Sequence, residues 1–364
     1  MLSTYKNKKV LVTGHTGFKG SWLSSWLFSL GAEVYGISNG LVSTPSNFEA
    51  SNLSEKIHDL KLDLLDMDKL FKKIDEIKPD FVFHLGAQAL VRPSYQNPLL
   101  TINTNAIGTA NLLETLRKIR RKVTLISITS DKSYDNIEQI WGYKETDRLG
   151  GKDPYSASKA MAELVLKTYY HSYFSSDNTP VRLAVTRAGN VIGGGDWAED
   201  RIVPDCVSSW SQNEKVDIRN PNATRPWQHV LEPLGGYLLL GSALEANFEL
   251  NGEAFNFGPA PSNNFSVQEL IEEMKKNWGN VKWRDISIKG EEPYEATLLK
   301  LNCEKAQNLL NWMPMLDFQE TVELTTTWYK SYYEKKMSLF ELNMSQINFY
   351  KEKAISKGAV WIID

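Results

Sequence analysis

The sequence predicts an α/β fold, a doubly wound parallel sheet followed by a smaller α/β lobe. Three observations predict it. Short apolar strands alternate with helical patterns from residue 9 to residue 188. The first strand runs straight into Gly14-x-x-Gly17-x-x-Gly20 and then into an apolar helix, the context of a dinucleotide fingerprint. Asp63, Gly86, Ser130 and Arg187 fall at or just past strand ends, where open parallel sheets take their ligands.

Each element has a local cause. Val10, Leu11 and Val12 form a buried strand. Gly14 permits the tight turn, Gly17 admits a pyrophosphate to the helix N-terminus, and Gly20 lets helix and strand pack closely. His15, Thr16, Phe18 and Lys19 fill the same turn. Trp22, Leu23, Trp26, Leu27 and Leu30 give a core helix, too short and serine-broken to span a bilayer. Residues 33–37 read as the second strand, 39–55 as a loop, and 57–62 as a third strand ending at Asp63. Acidic residues open a helix over 66–77, which Pro79 ends before the buried strand 80–85. A long helix follows over 98–117, then a strand over 122–129 that delivers Ser130-Asp131-Lys132. Asp153 caps and Pro154 opens the next helix, and 181–186 is the following strand.

Beyond residue 189 the pattern changes. A glycine loop at 193–197 precedes a short strand over 217–222, then helices over 234–245, 267–278, 303–310 and 318–334. Residues 1–188 are therefore expected to form the Rossmann-type domain that carries the catalytic residues. Residues 189–335 are expected to form most of a substrate lobe, and 336–364 a tail with a surface helix.

Composition narrows the function. The chain has 364 residues, enough for a large core, with 41 basic against 44 acidic residues and a net charge of −3. That balance argues against a nucleic-acid or membrane-surface partner. The two cysteines, Cys206 and Cys303, form no metal-ligand or disulfide pattern, and no signal-peptide pattern precedes the first strand. No metal and a cytoplasmic setting are expected.

Tyr155-x-x-x-Lys159 places a phenol and an amine on one helix face. An ammonium nearby would lower the tyrosine's pKa, so that the phenolate takes a hydroxyl proton while a hydride leaves the same carbon. Together with the glycine turn, this pair resembles the extended short-chain dehydrogenase/reductase superfamily, the NAD-dependent epimerases and dehydratases of nucleotide sugars. The likeness runs to about residue 335. Four longer strings resemble the branch of 4,6-dehydratases acting on CDP-glucose: Thr13-Gly-His-Thr-Gly-Phe-Lys-Gly-Ser-Trp22, Thr129-Ser-Asp-Lys132, Arg187-Ala-Gly-Asn-Val-Ile-Gly-Gly-Gly-Asp-Trp197 and Ala223-Thr-Arg-Pro-Trp-Gln-His-Val-Leu-Glu-Pro233.

The resemblance implies oxidation at carbon 4, loss of water across carbons 5 and 6, and hydride return to carbon 6. The 4-keto-6-deoxy product would feed the deoxysugars of lipopolysaccharide. It implies Tyr155, Lys159, Ser130 and Asp131 as catalytic residues, with Asp131 as the acid that expels the carbon-6 hydroxyl. Relatives acting on dTDP-glucose carry a glutamate where this chain has Lys132, which either takes the carbon-5 proton or only pairs with Asp131. Asp63 and Leu64 would meet adenine, although Asp63 equally suits a strand-end turn. Gly86, Ala87 and Gln88 would line the nicotinamide side, with Asn105 in support. Asn190, Arg201, Arg219 and Arg225 are the candidates for the substrate's nucleotide diphosphate. His84 and His229 read as core residues, and Trp197 and Trp227 either shield the sugar or pack. Residues 37–40 lack the acid that usually meets the adenosine ribose, so NAD over NADP rests on the resemblance. A homodimer or homotetramer is expected. A 4-epimerase would share the fold and the Tyr–Lys pair without needing an acid at Asp131. A silent dinucleotide-binding regulator would have no use for the intact set.

Overall fold

Strand β1 (Lys9–Thr13) lies inside a seven-stranded parallel sheet with β2 (Glu33–Ser38), β3 (His58–Lys61), β4 (Phe81–His84), β5 (Val123–Ile128), β6 (Val181–Ala188) and β7 (Ala254–Phe257). The order is β7-β6-β5-β4-β1-β2-β3, with the reversal between β1 and β4. That reversal opens a crevice beyond the carboxyl ends of these two strands. The computed structural model describes residues 1–260, 263–279, 281–287 and 299–362. No helix among them is long and apolar enough to cross a membrane.

The central strands are buried on both faces, as parallel strands between helical layers must be. One layer holds α1 (Phe18–Ser29), and the other holds α2 (Met67–Ile77), α3 (Gly108–Ile119) and α4 (Pro154–Tyr169). Asp66 caps α2 by accepting from the Lys69 amide at 3.1 Å, and Asp153 caps α4 by accepting from the Ser156 amide at 2.9 Å. Further on come α5 (Ile202–Ser211), α6 (Leu231–Ala246), α7 (Val267–Trp278), α8 (Phe318–Glu334) and α9 (Leu339–Ser356).

Three regions differ from the sequence reading. The helix expected over 98–117 is interrupted by a π-turn at Asn103–Ile107. There Asn105 turns inward and donates to Gln88 O at 3.0 Å and to Ser158 Oγ at 2.7 Å, which a regular helix would not deliver. Residues beyond 188 also build the sheet. Helix α6 packs on β5 and β6, β7 pairs with β6, and one core runs from Leu2 to Ile362. Lastly, α9 is not a surface helix. Leu342, Ile347, Tyr350 and Ala354 are buried, and the Tyr350 ring meets Trp26 of α1 edge-on at 5.5 Å. Its scattered apolar residues form a stripe that α1 and α8 cover.

Candidate active site

A single cavity of about 1290 Å³ opens at the carboxyl edge of the sheet. It exceeds the roughly 300–1,000 Å³ of an ordinary small-molecule cleft, so it has room for two ligands. One end is the glycine turn. A Cβ on Gly20 would lie 2.1 Å from Gly14 O, and one on Gly14 would lie 2.8 Å from the Gly86 amide. Only hydrogen at these positions lets α1, the turn and the end of β4 close together. A Cβ on Gly17, which opens α1, would meet nothing closer than 3.3 Å. A helix N-terminus that opens on the cavity is a cradle for a pyrophosphate. The chain therefore fits a dinucleotide.

The rim beyond that turn is where the adenosine end belongs. Asn39 leaves β2 and donates to Asp63 Oδ2 at 3.2 Å. A carboxylate from the end of β3 thus stands beside the residue that follows β2. Asp63 also closes its own turn by accepting from the Leu65 amide at 2.9 Å, the strand-end role expected of it. Leu64, Gly86 and Ala87 line the cavity beside it. Three residues expected on the cofactor stand behind the wall instead. The His15 ring packs under Gly36, with Nε2 2.8 Å from Asp59 Oδ1. The Gln88 amide donates to Asn105 Oδ1 at 2.7 Å, so both hold the loop after β4 from below.

The chemical centre lies deeper. Tyr155 and Lys159 are buried on α4, and Ser130, Asp131 and Lys132 line the same cavity from the turn after β5. Ser130 donates to Asp131 Oδ1 at 2.9 Å and also hydrogen-bonds with Tyr155. Burial pushes the Tyr155 phenol up to about 12. The net lowering expected from Lys159 is not found, because burial decides the direction. Burial also brings Lys159 down to about 8, with Glu163 opposing the fall. Burial raises Asp131 above the ordinary carboxylate range, although Lys132, Ser130 and Lys19 pull the other way. A carboxyl raised by burial beside a tyrosine is suited to protonate a leaving group. Lys19 faces Asp131, Arg201 and Lys159 across the cavity, and burial lowers it to about 8. It therefore serves the chemical centre as well as the glycine turn.

A buried network that sequence reasoning missed holds the 130–133 turn. Glu163 Oε1 accepts from Thr129 Oγ1 at 2.6 Å and Ser133 Oγ at 2.8 Å, and Arg187 Nε donates to it at 2.8 Å. Arg187 also donates to Tyr134 OH at 2.7 Å. The signal was present, since Glu163 follows Lys159 by four residues on the same helix face.

The opposite wall comes from residues 189–225. Asn190, Arg201, Arg219 and Arg225 all line the cavity. Arg201 is ion-paired with the buried Asp196 and acts on Tyr155 electrostatically. Arg219 lies 3.5 Å from Asp200, which also holds Arg92 at 2.6 Å. Asp196 and Arg92 went unread in the sequence. Trp227 is buried and donates to Phe265 O at 2.9 Å, whereas Trp197 packs among Trp328, Tyr329 and Tyr332. His84 bridges Thr13 and Thr109 at 2.7 and 2.9 Å, and burial holds it near 3. His229 is buried too, edge-on to Trp22. No cluster of metal-ligating side chains occurs among the described residues.

Residues 11–325 match the family described as GDP-mannose 4,6 dehydratase. The chain belongs to that family. Within the GDP-mannose 4,6-dehydratase family it is 45% identical to the CDP-glucose 4,6-dehydratase of Salmonella typhimurium, over 90% of this chain and 92% of that protein. Among solved structures it resembles an epimerase from Methanothermobacter thermautotrophicus, with a TM-score of 0.76 and 25% identity over 92% of this chain and 95% of the other. It also shares its fold with the dTDP-glucose 4,6-dehydratase of Bacillus anthracis, solved in complex with NAD. There the TM-score is 0.73 and the identity 22%, over 90% of this chain and 98% of that one.

Proposed function

We propose that this protein converts CDP-glucose to CDP-4-keto-6-deoxyglucose, with NAD held in the glycine cradle. The observation that carries the reading is Asp131, a buried carboxyl beside Tyr155 and Ser130 that burial raises above the ordinary carboxylate range. An epimerase has no use for such an acid. The 45% identity to a CDP-glucose 4,6-dehydratase supports the same substrate.

Gly14, Gly17, Gly20, Thr16, Phe18, Lys19, Gly86 and Ala87 would hold the dinucleotide, and Asp63 beside Asn39 favours NAD, since a carboxylate repels a 2′-phosphate. Bound there, NAD supplies a reversible hydride store and a positive charge to the site. Tyr155 accepts the proton of the carbon-4 hydroxyl, and Ser130 hydrogen-bonds the same oxygen. Lys159 supplies a cation from the next turn of α4. The carbon-4 ketone then acidifies the hydrogen on carbon 5. We assign that proton to Lys132, which shares the turn with Asp131. Asp131 protonates the carbon-6 hydroxyl, which leaves as water, and Lys132 would return its proton to carbon 5 as carbon 6 regains the stored hydride. Asn190, Arg201, Arg219 and Arg225 hold the nucleotide diphosphate.

The same proposal includes a cytoplasmic setting and a role in supplying deoxysugars for lipopolysaccharide. Cys206 and Cys303 are free thiols, as a reducing compartment allows. It also includes a homo-oligomer. Leu99 is 74% exposed and Leu100 55%, and with Leu164 of α4 they form an apolar face that a second copy would cover. The test is incubation with CDP-glucose and NAD. A 4-keto-6-deoxy sugar, recognised by its absorbance in alkali and by nuclear magnetic resonance, supports the reading. A carbon-4 epimer, or unchanged CDP-glucose, overturns it.

A further inference from the structure

The loop over residues 193–197 begins with three glycines, which offer no side chains with which to anchor it. The glycines are held from outside. A Cβ on Gly193 would lie 2.9 Å from Val230 Cγ1 and 3.1 Å from the Phe18 ring. One on Gly194 would lie 2.0 Å from the Trp328 ring, and the Gly194 carbonyl accepts from Trp22 Nε1 at 2.8 Å. One on Gly195, whose φ is +84°, would lie 2.4 Å from Asn47 Cβ. The Asn47 amide also donates to Gly195 O at 3.1 Å. Immediately after the glycines, the Asp196 amide donates to Tyr329 OH at 3.0 Å, and the Asp196 carboxylate holds Arg201 at the cavity wall.

Asn47 is the hub of this arrangement, and α9 fixes it. Asn343 Nδ2 donates to Asn47 Oδ1 at 3.0 Å, while Asn343 Oδ1 accepts from Trp328 Nε1 at 2.7 Å. Asn47 Nδ2 in turn donates to Ser21 Oγ of α1 at 2.9 Å. Asn343, Asn47 and Ser21 are buried, so no water substitutes freely for any member. One amide therefore touches both bodies that grip the glycines, the Trp328 ring and Asn47. The family match ends at residue 325, so α9 lies beyond it.

We propose that Asn343 is a positioning residue for the substrate wall, which fixes the glycine loop through Asn47 and Trp328 and so aims Arg201 into the cavity. Asn343 touches no ligand. Its influence on the reaction runs through the placement of one arginine, and it rests on the reading of Arg201 as a diphosphate contact.

The test uses the full chain with NAD bound. Asn343→Asp keeps the size and the acceptor for Trp328 but loses the donor to Asn47. Asn343→Ser, smaller and able to admit a water, is the companion should the first variant be poorly folded. The expected result is a KM for CDP-glucose raised about tenfold, the loss of one well-aimed charge contact. NAD affinity, read by titration, and kcat change less than about twofold. Adding Arg201→Ala to either variant costs no more than Arg201→Ala alone, because both act on the same contact. A wild-type KM in the variants overturns the proposal, and so does a penalty that simply adds to that of Arg201→Ala. Wild-type turnover of CDP-glucose is measured in parallel. Its absence defeats the functional reading instead, and a weakened affinity of the variants for CDP then still reads the placement of Arg201.

Discussion

The cavity has two walls, and they are built differently. The sheet-side wall carries the glycine turn, Ser130, Asp131, Tyr155 and Lys159 on strand ends and the first turns of helices. Regular elements place those side chains, with the buried Glu163–Arg187 pair holding the 130–133 turn beneath them. The facing wall, residues 189–225, is mostly loop, and its arginines are placed by carboxylates and by side chains from distant parts of the chain. The difference teaches where chemistry and recognition reside. In the proposed reaction, rigid elements hold the groups that exchange protons, and a propped loop holds those that choose the ligand.

Substitutions can break that division, and the largest effect should come from the sheet side. Tyr155→Phe removes the only group placed to take the carbon-4 proton and should lower kcat on the order of 10⁴-fold with KM nearly unchanged. A large change in KM would erase the distinction between the walls. Asp131→Asn should lower product formation on the order of 10³-fold while reduced nicotinamide accumulates, because only the elimination lacks its acid. The sign of the pH effect follows from the raised pKa of Asp131. The acid form persists above the ordinary carboxylate range and is lost as pH rises further, so kcat/KM falls on the alkaline side. In Asp131→Asn that limb should vanish.

Glu163→Gln sharpens the comparison from beneath the wall. Arg187 would stay charged and buried opposite a neutral amide, so unfolding free energy should drop by about 3 kcal/mol in denaturant titrations. A loss below about 1 kcal/mol would mean that the turn is not held by this pair. The smallest effect belongs to the outer rim. Asp63→Asn should narrow the preference for NAD over NADP about fivefold, measured by binding of the two dinucleotides. An unchanged ratio would remove Asp63 from the ribose site.

The same contrast explains how much was legible in the sequence. The glycine turn, the Asp153-Pro154 helix start and the Tyr155–Lys159 pair are local patterns whose meaning survives without knowledge of the fold. So are Ser130 and Asp131 at the end of an apolar strand. What escaped depends on residues far apart in the chain. The carboxylate beside Asn39 comes from the end of β3, not from β2, and only register brings Asp63 there. The π-turn at Asn103–Ile107 satisfies Gln88 and Ser158, two partners with no periodic signal. The lowered tyrosine pKa followed from spacing alone, and burial outweighs it in the folded chain. The tail reads as a surface helix because its apolar residues are scattered among polar ones, whereas two of those polar residues, Asn343 and Gln346, are buried with partners.

The order of synthesis gives α9 one more meaning. Residues 339–356 leave the ribosome after every strand of the sheet, so the catalytic turn and the tyrosine helix can assemble while Asn47 and the buried Glu232 still lack their last partners. A nascent chain halted before residue 339 would possess the acid and base yet hold sugar nucleotides weakly. Full affinity would then arrive only once α9 has docked.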